Sequence, residues 1–120
     1  MPTSLQIKSV MQAYIDAFNS GDAAAVMALF ADEATIEDPV GSPVKQGREV
    51  LRAFYEYAIS TGLKLQLDAP IRSSHSNAGA MAFTASKGSI IVRVIDVMTV
   101  NDSGKITSMR AFFGPDDITQ

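Results

Sequence analysis

The chain contains no cysteine, so disulfides and thiol chemistry are excluded. It contains one histidine, His75, which argues against a histidine-based metal site or a Ser-His-Asp triad. No GxGxxG or P-loop spacing occurs. Basic residues are few and scattered singly, and the net charge is −3. That pattern argues against a nucleic-acid partner and against a polybasic membrane patch. No run of about 18 apolar residues is present, and Met1 to Val10 lacks the apolar centre of a signal peptide. Cytoplasmic location is the expectation. Any chemistry must come from carboxylates, tyrosines and the shape of the fold.

What remains is an ordinary globular composition. Of 120 residues, 47% are hydrophobic and 19% charged, enough for one domain with a core. Ile7, Val10, Met11, Tyr14 and Phe18 recur at the spacing of one helix face. Gly21 should stop that helix and Asp22 should cap the next, over Ala23 to Phe30, with Val26, Leu29 and Phe30 as its stripe. A third helix is expected from Arg48 to Ser60, with Val50, Leu51, Phe54, Tyr57 and Ala58 inward and Gly62 as terminator. Between the second and third helices, Ala34 to Asp38 reads as a short strand ending at Pro39.

After Gly62 the period changes to two. Leu63, Leu65 and Leu67 alternate with polar residues, and strands follow over Ala78–Ser86, Ile90–Val100 and Lys105–Phe113. Three N-terminal helices followed by a mostly antiparallel curved sheet make an α+β domain over residues 1–120. Such a cone has a mouth that can hold a small ligand.

Three polar side chains fall on apolar faces. Ile90, Val92, Val94, Asp96, Met98 and Val100 share one strand face, and Asp96 is its only polar member. Burial there disfavours the charged form, so Asp96 is expected to be a neutral hydrogen-bond donor at neutral pH. A structural carboxylate, or a row facing a partner subunit, would read the same way. Asp38 points with Ala34 and Ile36, and Pro39 keeps it out of the helical region. An ordinary turn aspartate is the competing role. Tyr14 lies on the buried stripe of the first helix, where its hydroxyl needs an indoor partner, catalytic or not. Met81, Phe83, Met109 and Phe113 sit at alternating strand positions, as either core or cavity lining.

Together these residues resemble the Δ5-3-ketosteroid isomerases. The similar segments are Gln12–Ile15, Asn19–Asp22, Leu29–Gly41, Gly47–Glu49, Phe54–Tyr55, Gly79–Phe83, Ile95–Met98, Gly104–Ile106 and Ser108–Phe112, in that order. The helical start is shared with the wider group of cone-shaped domains typified by nuclear transport factor 2, whereas Glu37-Asp38-Pro39 with Tyr14 and Asp96 is narrower. The resemblance implies that Asp38 is the base carrying a proton from C4 to C6 of a 3-oxo-Δ5-steroid. Tyr14 and Asp96 would donate hydrogen bonds to the C3 oxygen, with Tyr55 bonded to the tyrosine. Val40, Met81, Phe83, Met98, Met109, Phe113 and Tyr55 are the expected substrate contacts. It further implies a homodimer that needs no cofactor. Phe30 stands where some members carry a third tyrosine, and the segment between Phe83 and Asp96 is shorter. Two rivals stand beside this reading. One is a related cyclase or epoxide hydrolase, which would want an Asp-Arg-Asp set, although Arg93 lies on the face opposite Asp96. The other is a non-catalytic binding module.

Overall fold

The computed structural model describes residues 1–120. Helix α1 spans Ser4–Asn19 and opens with a reciprocal cap: Thr3 Oγ1 accepts from the Gln6 amide at 3.1 Å, and Gln6 Oε1 accepts from the Thr3 amide at 2.7 Å. Its buried face is Ile7, Val10, Met11, Tyr14, Ile15 and Phe18, the expected stripe plus Ile15. The helix closes with a Schellman turn. Gly21 takes φ 79°, its amide bonds to Phe18 O, and the Asp22 amide reaches back to Ala17 O. Asp22 then caps α2 (Ala23–Met27), accepting from the Ala25 amide at 3.0 Å.

Helix α2 is shorter than the sequence pattern suggests, because Ala28 and Leu29 form a turn and Phe30 is already strand. β1 runs Phe30–Glu37, with Phe30 in parallel register with Ile106. A short apolar run such as Leu29-Phe30 suits either structure, and here the sheet claims it. The Arg48 guanidinium fastens the junction, donating to Met27 O at 2.9 Å and Phe30 O at 3.0 Å. A two-residue strand β2 (Lys45–Gln46) pairs with β1 and leads into α3 (Arg48–Ser60). The buried face of α3 is Leu51 and Tyr55, flanked by half-buried Phe54 and Ala58. Val50 and Tyr57, expected inward, are 48% and 73% exposed. The true face follows the spacing 51, 54, 55, 58, which carries the larger apolar volume on one side.

The remaining strands are β3 (Lys64–Leu67), β4 (Arg72–Ser73), β5 (Ala78–Lys87), β6 (Ile90–Val100), β7 (Ile106–Phe112) and β8 (Ile118–Thr119). They form one curved, unclosed sheet in the order β2-β1-β7-β6-β5-β3, with β4 beside β5 and β8 returning to β6. Only β1 and β7 run parallel. Two-residue strands such as β2, β4 and β8 carry no period, so the sequence pattern did not reveal them. The three helices pack on the concave side of this α+β domain. Gly79 allows α1 its close approach to β5, since a Cβ there would collide with Met11 Sδ and lie 2.8 Å from Ile7 Cγ2. No helix is long and apolar enough to cross a membrane.

Candidate active site

A cavity of about 190 Å³ opens between α1, α3 and the inner face of the sheet. Its polar lining consists of Asp38, Asp96 and the hydroxyls of Tyr14 and Tyr55; the rest is apolar, including Phe18, Phe54, Leu63, Leu65, Val94 and Phe113. Tyr14, Asp96 and Tyr55 are buried, while Asp38, Phe54, Leu63 and Phe113 are half-buried. The hydroxyls therefore sit deep, and the rim is greasy.

Each polar group is held by the local fold. β6 extends over eleven residues with its even positions inward, and cross-strand registry places Asp96 between Met81 of β5 and Ala111 of β7. Both neighbours are buried and apolar, so Asp96, 1% exposed, finds no donor or acceptor: neither carboxyl oxygen has a hydrogen-bond partner. Tyr14 is presented by α1, and its hydroxyl lies 3.0 Å from that of Tyr55 on α3. Phe30 packs edge-on to Tyr14, with ring centres 6.3 Å apart, and adds no further hydroxyl. The hydrogen-bonded set is two phenols.

Asp38 follows β1 directly and keeps the inward side of Ile36. The turn that carries it is fastened three times. The Gly41 amide donates to Glu37 Oε2 at 3.0 Å, the Val40 amide to Ala111 O at 2.8 Å, and Ser42 Oγ to Pro39 O at 2.6 Å. Arg110 Nε holds Glu37 Oε1 at 3.2 Å on the other side of the strand. The Gly41 amide and Arg110 together hold the Glu37 carboxyl below its usual range.

Burial dominates the electrostatics. It pushes the Asp96 carboxyl well above the ordinary carboxylate range, and the charge of Asp38 pushes the same way. Asp38 is also raised by burial, with Lys45 opposing. Tyr14 is driven far up by burial and then by Asp96, against the opposing hydrogen bond from Tyr55. Tyr55 is raised by burial and then by Tyr14. Burial thus biases Asp96, Tyr14 and Tyr55 alike toward their protonated, uncharged forms. The arrangement is one half-buried carboxyl, Asp38, beside three buried groups biased toward their protonated forms, in a mostly apolar cavity.

Of the other expected contacts, Phe83 and Phe113 line this cavity and Met81, Met98 and Met109 do not. The three methionines are at most 1% exposed and pack in the core beneath it. Val40 lines a more open depression of about 610 Å³, which shares Phe83, Val94 and Phe113 with the cavity. Phe18, Phe54, Leu63, Ala85 and Val92 are lining residues that the pattern analysis had not assigned to a site. Arg93 is exposed, lines the open depression and is absent from the cavity. No three His, Cys, Asp or Glu side chains group closely enough to hold a metal ion.

Residues 11–109 match the family described as the SnoaL-like domain. The chain belongs to this SnoaL-like family. Among characterised relatives, a steroid Delta-isomerase from Nocardioides simplex is 37% identical over 117 residues, 96% of this chain and 95% of that protein. Among solved structures, the epoxide hydrolase/cyclase-like enzyme SalBIII, described in pyran ring formation in the polyether salinomycin, superposes with a TM-score of 0.91. It is 28% identical, and the match covers 96% of this SnoaL-like chain and 95% of the SalBIII chain. The two relatives thus share one scaffold and differ in named activity.

Proposed function

We propose that this SnoaL-like protein is a ketosteroid isomerase that shifts a carbon–carbon double bond into conjugation with a 3-oxo group. Asp38 takes the proton from C4 and returns it at C6. The dienolate formed between these steps carries its charge on the C3 oxygen, which receives hydrogen bonds from Tyr14 and from neutral Asp96. The observation that carries this reading is the pair of unpartnered Asp96 oxygens. A buried carboxyl with no protein partner is costly, and a ligand oxygen relieves that cost by accepting a hydrogen bond from it. Preorganised donors in a water-poor cavity stabilise an oxyanion far more than water-exposed ones, typically by about 3 kcal/mol each.

The 37% identity to a steroid Delta-isomerase supports the same reading. The SalBIII likeness favours a second one, since a base and a protonated acid facing one cavity also suit epoxide opening. The absence of any arginine from the cavity lining weighs against an Asp-Arg-Asp hydrolase.

The deciding experiment follows conjugated enone formation from a Δ5-3-ketosteroid by ultraviolet absorbance. Asp38→Asn should abolish turnover while steroid binding persists; turnover that survives the change removes Asp38 as the base. For the expected homodimer, the outer sheet face offers Ile95 and Phe112, 48% and 41% exposed, as an apolar surface for a second copy. Sedimentation of Ile95→Lys should show monomer where the parent shows dimer.

A further inference from the structure

A cation stands beside the site, and the proton transfer described above gives it no role. Lys45 on β2 pairs directly with Ile36 on β1, and directly paired residues project to the same sheet face. Ile36 is wholly buried on the inner side, and Asp38 follows it by two positions, so Lys45, Ile36 and Asp38 share one side. Lys45 is half-buried despite lying on a two-residue edge strand. Its ammonium sits 5.2 Å from the ring centre of Phe54, a cavity-lining residue, in cation–π geometry.

What the ammonium lacks is equally informative. The ammonium groups of Lys64 and Lys105 end on the carbonyls of Asn19 and Ala28. Lys45 makes no such bond, and no carboxylate approaches it within 4.0 Å. It is held by an aromatic face and is otherwise uncommitted.

We propose that Lys45 is a positioning residue for the base, supplying from the Phe54 ring the counter-charge to the Asp38 carboxylate across the rim of the cavity. This rests on the isomerase reading for its purpose, but not for its test. The ionisable side chains facing Asp38 are Tyr14 from α1, Tyr55 from α3, Asp96 from β6 and Lys45 from β2. The Glu37–Arg110 pair is turned to the opposite side of the strand. Burial biases the first three toward their uncharged forms, so Lys45 is the cation left to offset the burial of Asp38. Its stand-off suits a base. A contact ion pair would stabilise the carboxylate so strongly that it would take a proton poorly, whereas a cation held back on a ring keeps the carboxylate charged and still basic.

The test compares the parent protein with Lys45→Met, Lys45→Gln and Lys45→Arg. Two readouts are taken: titration of the Asp38 carboxyl carbon by carbon-13 NMR, and the acid limb of kcat/KM for a Δ5-3-ketosteroid. Loss of the charge should raise both midpoints by roughly half a pH unit to one unit. On the acid limb kcat/KM should therefore fall about three- to ten-fold, with little change at high pH. Lys45→Arg should restore both midpoints. Two neutral variants are used so that one which folds poorly leaves the other to decide. An Asp38 titration that is the same with and without the charge overturns the proposal. So does a loss of kcat/KM that is uniform across pH with that titration unmoved, because Lys45 would then be touching the ligand. If the parent shows no isomerase activity, the activity reading fails, and the NMR titration still decides the role of Lys45.

Discussion

Replacing Asp96 with leucine should make the protein more stable and nearly inactive. The wild-type side chain is 1% exposed between Met81 and Ala111, with two oxygens that bond to nothing. Removing an unsatisfied buried polar group relieves roughly 1–3 kcal/mol. The larger leucine has room, because Asp96 borders the cavity of about 190 Å³. The gain should depend on pH, with a sign fixed by linkage. An unfolded Asp loses its proton near pH 3.9. Folded Asp96 keeps it to well above that value, because burial opposes the charge. Below about pH 4 both states are protonated and the favourable contribution of the proton is fully present. From there upward the folded chain holds one proton more than the unfolded chain, so wild-type stability falls by about 1.4 kcal/mol per pH unit. The fall ends where folded Asp96 itself ionises. Leucine has no such slope, and Asp38 is present in both proteins, so to first order it drops out of the difference.

Urea unfolding followed by circular dichroism, at one protein concentration and at about pH 4.5, 6 and 7.5, measures the gap between leucine variant and wild type. The gap should widen with pH until folded Asp96 itself ionises. A leucine variant less stable than wild type would show that Asp96 is a satisfied structural acid. A gap that does not move with pH would show that it is ionised in the fold. Either result removes the neutral donor on which the proposed chemistry stands.

Two further outcomes are expected. Tyr14→Phe should lower kcat on a Δ5-3-ketosteroid on the order of 100- to 1000-fold. Tyr55→Phe should cost much less, because Tyr55 acts through its 3.0 Å hydrogen bond to Tyr14; equal losses from the two changes would contradict that order. Gly79→Ala should destabilise by roughly 1–3 kcal/mol through the clash with Met11 and Ile7, leaving kcat of the folded fraction unchanged. Thermal melts alongside the enone assay separate the two effects, and an unshifted melt would mean that α1 can lift away from β5.

How much of this was legible beforehand depends on the length of each element. β6 alternates over eleven residues, long enough for one acid in an apolar row to stand out, and Asp96 is buried there. α1 repeats its stripe over four turns, so Tyr14 could be placed indoors. The α2–β1 junction could not be placed, because Leu29-Phe30 suits both periods and the choice is made by pairing with Ile106, far along the chain. Lys45 was invisible for a similar reason: a two-residue strand has no pattern, and its side follows only from its register with Ile36. Separating lining from core failed in a more basic way. Met81, Phe83, Met98 and Val94 all lie on the inner sheet face, and alternation reports the face but not the position along the strand. Phe83 and Val94 reach the cavity, while Met81 and Met98 belong to the core. Val92 and Val94 shared a row with Asp96, and Phe18 lies one turn from Tyr14, so proximity to the polar residues was the better signal.

The distribution of polarity along the cavity also constrains how a ligand enters. Small-molecule sites usually enclose about 300 Å³ or more, and this one encloses about 190 Å³. It would therefore surround only one end of a polycyclic ligand of the proposed kind. On the proposed reading that end would bear the oxygen, because Tyr14 and Asp96 are buried, whereas Phe54, Leu63 and Phe113 are only half-buried and offer no polar group. A ligand entering hydrocarbon-first would leave the Asp96 proton unpaired and its own oxygen against apolar side chains, two costs that the opposite orientation removes. Asp38 is half-buried and lines the same cavity, so on the proposed reading it would face the carbons next to that oxygen. The apolar rim would thus supply binding that does not depend on charge, while the deep donors would act most on an oxygen as it becomes negative. That division of labour is what a proton transfer through an enolate requires.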